Sequence, residues 1–174
     1  MSRSPSPSWL PVRVEAMMEA DLDAVLAIER ASFPAPWPRA IFLRELRDDH
    51  IARLFVARAA EGAHQGTVVG YTCAWLVIDE LHITNFAVHP EFRRRHVGHQ
   101  LLRGVLTRAQ EQGCRQAVLE VRASNRGAQR LYGEFGFAPV AVRKYYYTEN
   151  NEDAIVMFLA DIVVGLQRRP AQAE

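Results

Sequence analysis

The sequence predicts one α/β domain, a mixed sheet with helices on both faces. Three observations carry that expectation. The chain has 174 residues, the size of one ordinary domain. Apolar residues make up 49% of it, enough for a core without disulfide or metal support. Its periodic segments run strand, helix, helix, three strands, helix, strand, helix, strand, strand, and short turns join the three middle strands.

The first ten residues are rich in Ser and Pro and lack the apolar stretch of a secretory signal, so residues 1–11 read as a disordered leader. A short strand is expected from Val12 to Val14. Asp21 is expected to cap a helix with Leu22, Val25, Leu26 and Ile28 on one face. The Phe33-Pro-Ala-Pro-Trp-Pro38 run breaks that helix, and Pro38 suits the first position of a second one carrying Ile41, Phe42, Glu45 and Leu46. Strands are expected at 54–57, 67–78 and 81–88, separated by a turn at 61–66 and a tight turn at Asp79-Glu80. Val97, Leu101, Leu102, Val105, Leu106 and Ala109 keep helical spacing up to Gly113, a C-terminal cap glycine. A short buried strand at 116–121 follows. Ser124-Asn125 caps a helix bearing Ala128, Leu131, Tyr132 and Phe135. Strands at 140–147 and 154–160 complete a domain spanning 12–162, with a tail at 163–174.

Lys and Arg number 21 against 20 Asp and Glu, a net charge of +1. That argues against a uniformly basic nucleic-acid binder, so no nucleic-acid partner is expected. No run approaches the ~18 apolar residues of a membrane span, so no membrane partner is expected. Cys73 and Cys114 lie in apolar segments and read as reduced, buried thiols of a cytoplasmic protein. No Cys or His pair has zinc-site spacing, so no metal is expected.

Three stretches carry chemistry. The first runs from Asn85 to His99, a strand feeding a basic loop and then a helix. Unpaired N–H groups and the positive dipole end of a helix N-terminus make an anion cradle. Arg93, Arg94 and Arg95 add full charges, and Gly98 permits close backbone approach; the alternative is a solvated basic face. The second stretch is Ala117 to Asn125, where Glu120 interrupts an apolar strand. It reads either as half of a salt bridge with an arginine such as Arg122 or Arg143, or as a general base whose pKa burial raises. In the third stretch Tyr132 follows Asn125 by seven residues, two helical turns, so the two share a side. Alone it would read as a core tyrosine.

In this order and spacing the three stretches resemble the GNAT (Gcn5-related) N-acetyltransferase superfamily over roughly Val12 to Ala160. The chain is most similar to the ribosomal-protein-alanine N-acetyltransferase (RimI) family. The closer match rests on Asn85-Phe-Ala-Val88, Leu119-Glu-Val-Arg-Ala-Ser-Asn125, Leu131-Tyr132, Phe135-Gly-Phe137, Tyr145-Tyr146 and Glu152-Asp-Ala-Ile155. The resemblance implies a mostly antiparallel sheet splayed at its centre and acetyl-CoA as co-substrate. It implies that Phe86, Ala87 and Val88 pair with the pantetheine arm, and that Asn125 contacts it. The loop Arg93, Arg94, Arg95, His96, Val97, Gly98 and His99 would hold the pyrophosphate. Glu120 would act as general base and Tyr132 as the acid that protonates the leaving thiolate.

His96 departs from the family loop, which has its first glycine there. Histidine enters left-handed backbone more readily than most non-glycine residues, so modest strain is expected. The departure bears on cofactor affinity more than on chemical class. Matching regions of related enzymes flank the acceptor, which assigns Trp37, Tyr145 and Tyr146 to the substrate side. Glu149, Glu152 and Asp153 read as a wet loop or as an attractor for a cationic amine. The implied function is acetylation of a protein α-amine, with the N-terminal alanine of ribosomal protein S18 as acceptor and the enzyme a monomer or weak dimer. A lysine or small-amine acetyltransferase and a non-catalytic acyl-CoA sensor are the alternatives.

Overall fold

The computed structural model describes residues 9–48 and 50–168. Strands β1 (Val12–Ala16), β2 (Ala52–Ala59), β3 (Val68–Val77), β4 (Glu80–Val88), β5 (Gln116–Arg122), β6 (Ala138–Tyr147) and β7 (Glu152–Leu159) form one sheet. Their order is β1-β2-β3-β4-β5-β7-β6, and every neighbouring pair is antiparallel except β4 and β5. The helices are α1 (Leu22–Ser32), α2 (Arg39–Arg47), α3 (Val97–Glu111), α4 (Arg126–Glu134) and α5 (Ile162–Gln167).

Pleating sends successive side chains to opposite faces of the sheet. On β2, Phe55, Ala57 and Ala59 join a core with α3, α4 and α5, while Leu54 and Val56 join a second core with α1 and α2. Strands buried on both faces are near-continuously apolar, as in β3. Cys73 and Cys114 are free and buried, and burial pushes both thiols above their ordinary range.

The sheet parts at its centre. β4 and β5 pair only from Glu80 with Gln116 to Ile83 with Leu119, although β4 runs on to Val88 and β5 to Arg122. At the same point the β3–β4 register slips: Cys73 faces Asn85 while Ala74 faces Ile83, which leaves Thr84 as the extra residue of a bulge. A bulge bends its strand and increases twist, which carries the second half of β4 away from β5.

Several boundaries differ from the sequence expectation. Residues 1–8 of the expected leader lie outside the described residues, but residues 9–11 follow the domain surface, with Trp9 45% exposed and Leu10 buried in the core. Residues 163–167 of the expected tail lie in α5, which Asp161 caps by accepting from the Val163 and Val164 amides; residues 169–174 are not described. A six-residue helix with one short apolar face leaves too little periodicity to read. Asp21 does not cap α1, because its carboxylate accepts from the Met18 amide and pairs with Arg58. Pro38 precedes α2 by one residue. The β3–β4 turn is Ile78-Asp79, one residue earlier than expected, with Ile78 at φ 59°.

Gly104 lets α3 touch β1: a Cβ there would lie 2.8 Å from Val14 Cγ2. Gly104→Ala is expected to overpack this contact at about 1–3 kcal/mol. A thermal melt would then shift down by about 2–12 °C.

Candidate active site

Past the bulge, β4 keeps one neighbour and exposes its other edge. The His89 amide donates to Val69 O on the β3 side. Main-chain groups of an antiparallel strand alternate sides, so those of Phe86 and Val88 face the gap and those of Ala87 face β3. Arg93 Nε takes the Val88 carbonyl at 3.0 Å. The Phe86 N–H and C=O and the Val88 N–H are left for an extended guest to pair with. The Phe86 side chain packs edge-on against Tyr132, and Ala87 is buried toward α1.

The loop into α3 is built on left-handed backbone at Arg94 (φ 58°) and His96 (φ 60°). His96 is the residue preceding α3, so the conformation expected from its identity is present. Its ring lies against Trp9 and His99, and its Nδ1 is buried without a hydrogen-bond partner among the described residues. Val97 is buried under the helix start, and His99 pairs with Glu134. Gly98 lies under Leu131, whose Cδ2 would be 3.1 Å from an added Cβ. The Arg93 guanidinium also reaches Ser32 Oγ at 3.2 Å, so this arginine ties the loop to β4 and α1. Among the described residues, no hydrogen bond or ion pair engages the Arg94 and Arg95 side chains.

Glu120 is the first β5 residue beyond the β4 pairing, so it stands where the sheet opens. Its carboxylate side chain is only 8% exposed. Oε2 accepts from His82 Nε2 at 2.7 Å, and Oε1 pairs with Arg143 at 3.3 Å. The pKa is lowered, contrary to the expected rise: the His82 hydrogen bond outweighs the desolvation. Of the two arginines named from sequence, Arg143 binds Glu120. Arg122 instead binds Glu149 and Glu152, under the Tyr147 ring at 3.8 Å.

Tyr132 is buried between Phe86 and Phe137, and burial pushes its hydroxyl well above the ordinary tyrosine range. Asn125 caps α4, its Oδ1 accepting from the Ala128 amide at 3.1 Å, which aims α4 and hence Tyr132. Tyr147, which sequence reasoning left out of the site, lies within electrostatic reach of both Tyr132 and Glu120, and burial raises its hydroxyl to about 12. His82, also missed, rests edge-on to Trp75.

Of the residues expected on the substrate side, Tyr145 is 68% exposed at φ 54°, and its amide donates to Asp153. Tyr146 lies beside Tyr147 and under the Arg143 guanidinium. Trp37 packs on Phe42, and its amide donates to Glu29 Oε1 at 2.8 Å. The loop at 148–151 is exposed, as one of the two expectations had it, and the three acidic residues are already paired. Glu149 and Glu152 hold Arg122, Glu152 also accepts from the Ser124 amide, and Asp153 holds Lys144. The Glu149 carboxyl is lowered by its own backbone amide and by Arg122, Glu152 to about 2 chiefly by its bonds to Ser124, and Asp153 by Lys144.

Residues 22–137 match the Acetyltransferase (GNAT) family. A Bacillus subtilis relative, provisionally named ribosomal protein bS18-alanine N-acetyltransferase, is 39% identical over 84% of this chain and 93% of its own length. The crystal structure of the ribosomal-protein-S18-alanine N-acetyltransferase from Escherichia coli superposes with a TM-score of 0.76 at 26% identity, covering 93% of this chain and 97% of that one. Arabidopsis thaliana NAA60 in complex with acetyl-CoA shares the fold at a TM-score of 0.73 and 19% identity, over 86% of this chain and 98% of that one. The parted sheet, the basic loop before α3 and these matches agree: the chain belongs to the GNAT family of N-acetyltransferases and resembles its ribosomal-protein-alanine (RimI) members.

Proposed function

We propose that this enzyme transfers acetyl from acetyl-CoA to a protein α-amine, with the N-terminal alanine of ribosomal protein S18 as acceptor. The observation that carries the reading is the Glu120 carboxylate, ionised and nearly buried where β4 and β5 separate. The chain's own features fit the donor. The open β4 edge suits an extended amide-bearing arm, and the α3 N-terminus with Arg94 and Arg95 suits a diphosphate. The names of the relatives support the acceptor.

Acetyl-CoA supplies the acetyl group as a thioester. Main-chain groups of Phe86 and Val88 hold the arm along β4. An α-amine has a pKa of about 7.7–8.0, so much of it is ammonium at neutral pH. Glu120, a weak base with its lowered pKa, takes the amine proton directly or through a water as the new C–N bond makes that nitrogen acidic. Its hydrogen bond to His82 and its ion pair with Arg143 fix the carboxylate's direction. Tyr132 keeps its proton at neutral pH because burial disfavours the phenolate, so it can give that proton to the sulfur as the C–S bond breaks.

The test is intact mass. A peptide starting with the Ala end of S18 is expected to gain one acetyl from acetyl-CoA. The same peptide with a blocked N-terminus and a free lysine is expected to gain none. Acetylation of the blocked peptide would move the acceptor to lysine, and no gain on any peptide or amine would refute the reading.

A further inference from the structure

We propose that the segment at residues 9–12 braces the loop before α3, with Trp9 as a positioning residue for the nucleotide end of acetyl-CoA; the inference rests on the acetyl-CoA reading above. The Trp9 indole stacks on the His96 imidazole with ring centroids 5.0 Å apart and planes 27° apart. The next residue, Leu10, is buried, and its amide donates to the Arg95 carbonyl at 3.0 Å. Gln100, in the first turn of α3, clamps the segment from the other side. Its Nε2 donates to Leu10 O at 2.8 Å and to His96 O at 3.2 Å, and its Oε1 accepts from the Val12 amide at 3.0 Å.

These contacts fall on the strained part of the loop. Arg94 and His96 both hold left-handed backbone without being glycine, and such residues persist only where their surroundings over-determine them. A trans peptide points its C=O and N–H in opposite directions. Because Arg95 O is tied to Leu10, the His96 N–H is turned away from the segment. The same holds for the Val97 N–H, since Gln100 ties His96 O. Both are donors of the kind assigned above to the diphosphate. A glycine at 96 would offer no ring for Trp9. The histidine at 96 and the tryptophan at 9 therefore act as a pair, and the stack offsets the backbone cost that a glycine would avoid.

The experiment is a double-mutant cycle read by calorimetry with CoA, on the full chain, using Trp9→Ala, His96→Gly and both together. Trp9→Ala is expected to weaken CoA about threefold to tenfold, the range that a stacked aromatic pair accounts for. In the His96→Gly background the same substitution is expected to change the affinity less than twofold. Trp9→Phe, which keeps a ring, is expected to hold the wild-type affinity. Amide hydrogen exchange without CoA provides the second readout: residues 94–99 are expected to exchange faster in Trp9→Ala while β4 is unchanged. Equal effects of Trp9→Ala in both backgrounds, or unaltered exchange in the loop, would overturn the brace. If the wild-type chain binds no CoA, the acetyl-CoA reading fails, and the exchange data still decide whether residues 9–12 hold the loop.

Discussion

Glu120→Gln is expected to lower kcat/KM for an Ala-starting peptide by about 10²–10⁴, the usual contribution of a positioned acid or base. The substitution keeps the size of the side chain and an oxygen to accept from His82. The melting temperature and CoA affinity are therefore expected to stay near wild type. A loss of less than tenfold would take Glu120 out of the proton transfer. The pH profile provides a second test. The Glu120 carboxyl is held below its ordinary value, so it is ionised across the neutral range. The acid limb of kcat/KM then belongs to the substrate amine, rising up to about pH 8 and levelling above it. His82→Ala removes the largest cause that lowers Glu120, so its pKa is expected to rise and activity below neutrality to fall further than in wild type. For stability the sign is that of a depressed carboxylate. Its contribution is present above the unfolded value of about 4.3 and is lost as pH falls through the folded value. The His82–Glu120 contact therefore contributes in full at neutral pH, and its loss is confined to acid.

Much of the fold is legible in the chain because local signals and the two cores agree. Alternation on β2 and helical spacing on α3 each name the face they bury, and Gly113 stops α3 at φ 90° as a cap glycine should. The errors fall where tertiary contacts override local chemistry. Asp21 has the identity of a helix cap, yet Arg58, 37 residues away, claims its carboxylate. Leu10 belongs to a Ser/Pro-rich stretch that reads as a leader, and tertiary contacts with the core, the Arg95 carbonyl and the α3 side chain Gln100 make it part of the domain.

The site is legible in a different way. Glu120 and Tyr132 stand out through their motif, and His96 through its departure from it. The residues that tune them do not. β4 and β5 are parallel and separated by α3, so their register depends on a crossover that no local pattern specifies. His82, one pair short of the end of that register, therefore cannot be assigned to Glu120 from sequence. Tyr147 depends on the register shift in the β6–β7 pairing between Arg143 and Tyr147, which turns it inward and leaves Tyr145 outside. A run of three tyrosines gives no indication of which one turns in.

Glu29→Ala is expected to be the most destabilising of the substitutions considered. Glu29 lies seven residues after Leu22, on the face set by Leu22, Val25 and Leu26, and it is 1% exposed. An acidic residue at a core position of a helix is the signal that could have revealed it, since a buried carboxylate needs partners. It has three: the Trp37 amide at 2.8 Å, the Tyr71 hydroxyl, and Asn85 Nδ2 at 3.2 Å. One carboxylate thus ties the α1–α2 connection to β3 and to β4 just past the bulge. Tyr71 is itself fully buried, and burial beside this carboxylate pushes its hydroxyl far above the ordinary range. Removing the acceptor leaves three donors facing an apolar gap, at about 1–3 kcal/mol for each one left unsatisfied. After partial relaxation the loss is expected to be about 3–5 kcal/mol, the lower half of the sum over three donors. For a domain of this size that lowers the melting temperature by about 6–20 °C. A drop of under 3 °C would mean that the cluster rearranges freely. Assayed well below its melting point, the variant is expected to lose peptide kcat/KM more than CoA affinity. The resemblance assigns Trp37 to the substrate side, and Asn85 lies on β4 just past the bulge, so freeing both bears on the acceptor in the proposed reaction.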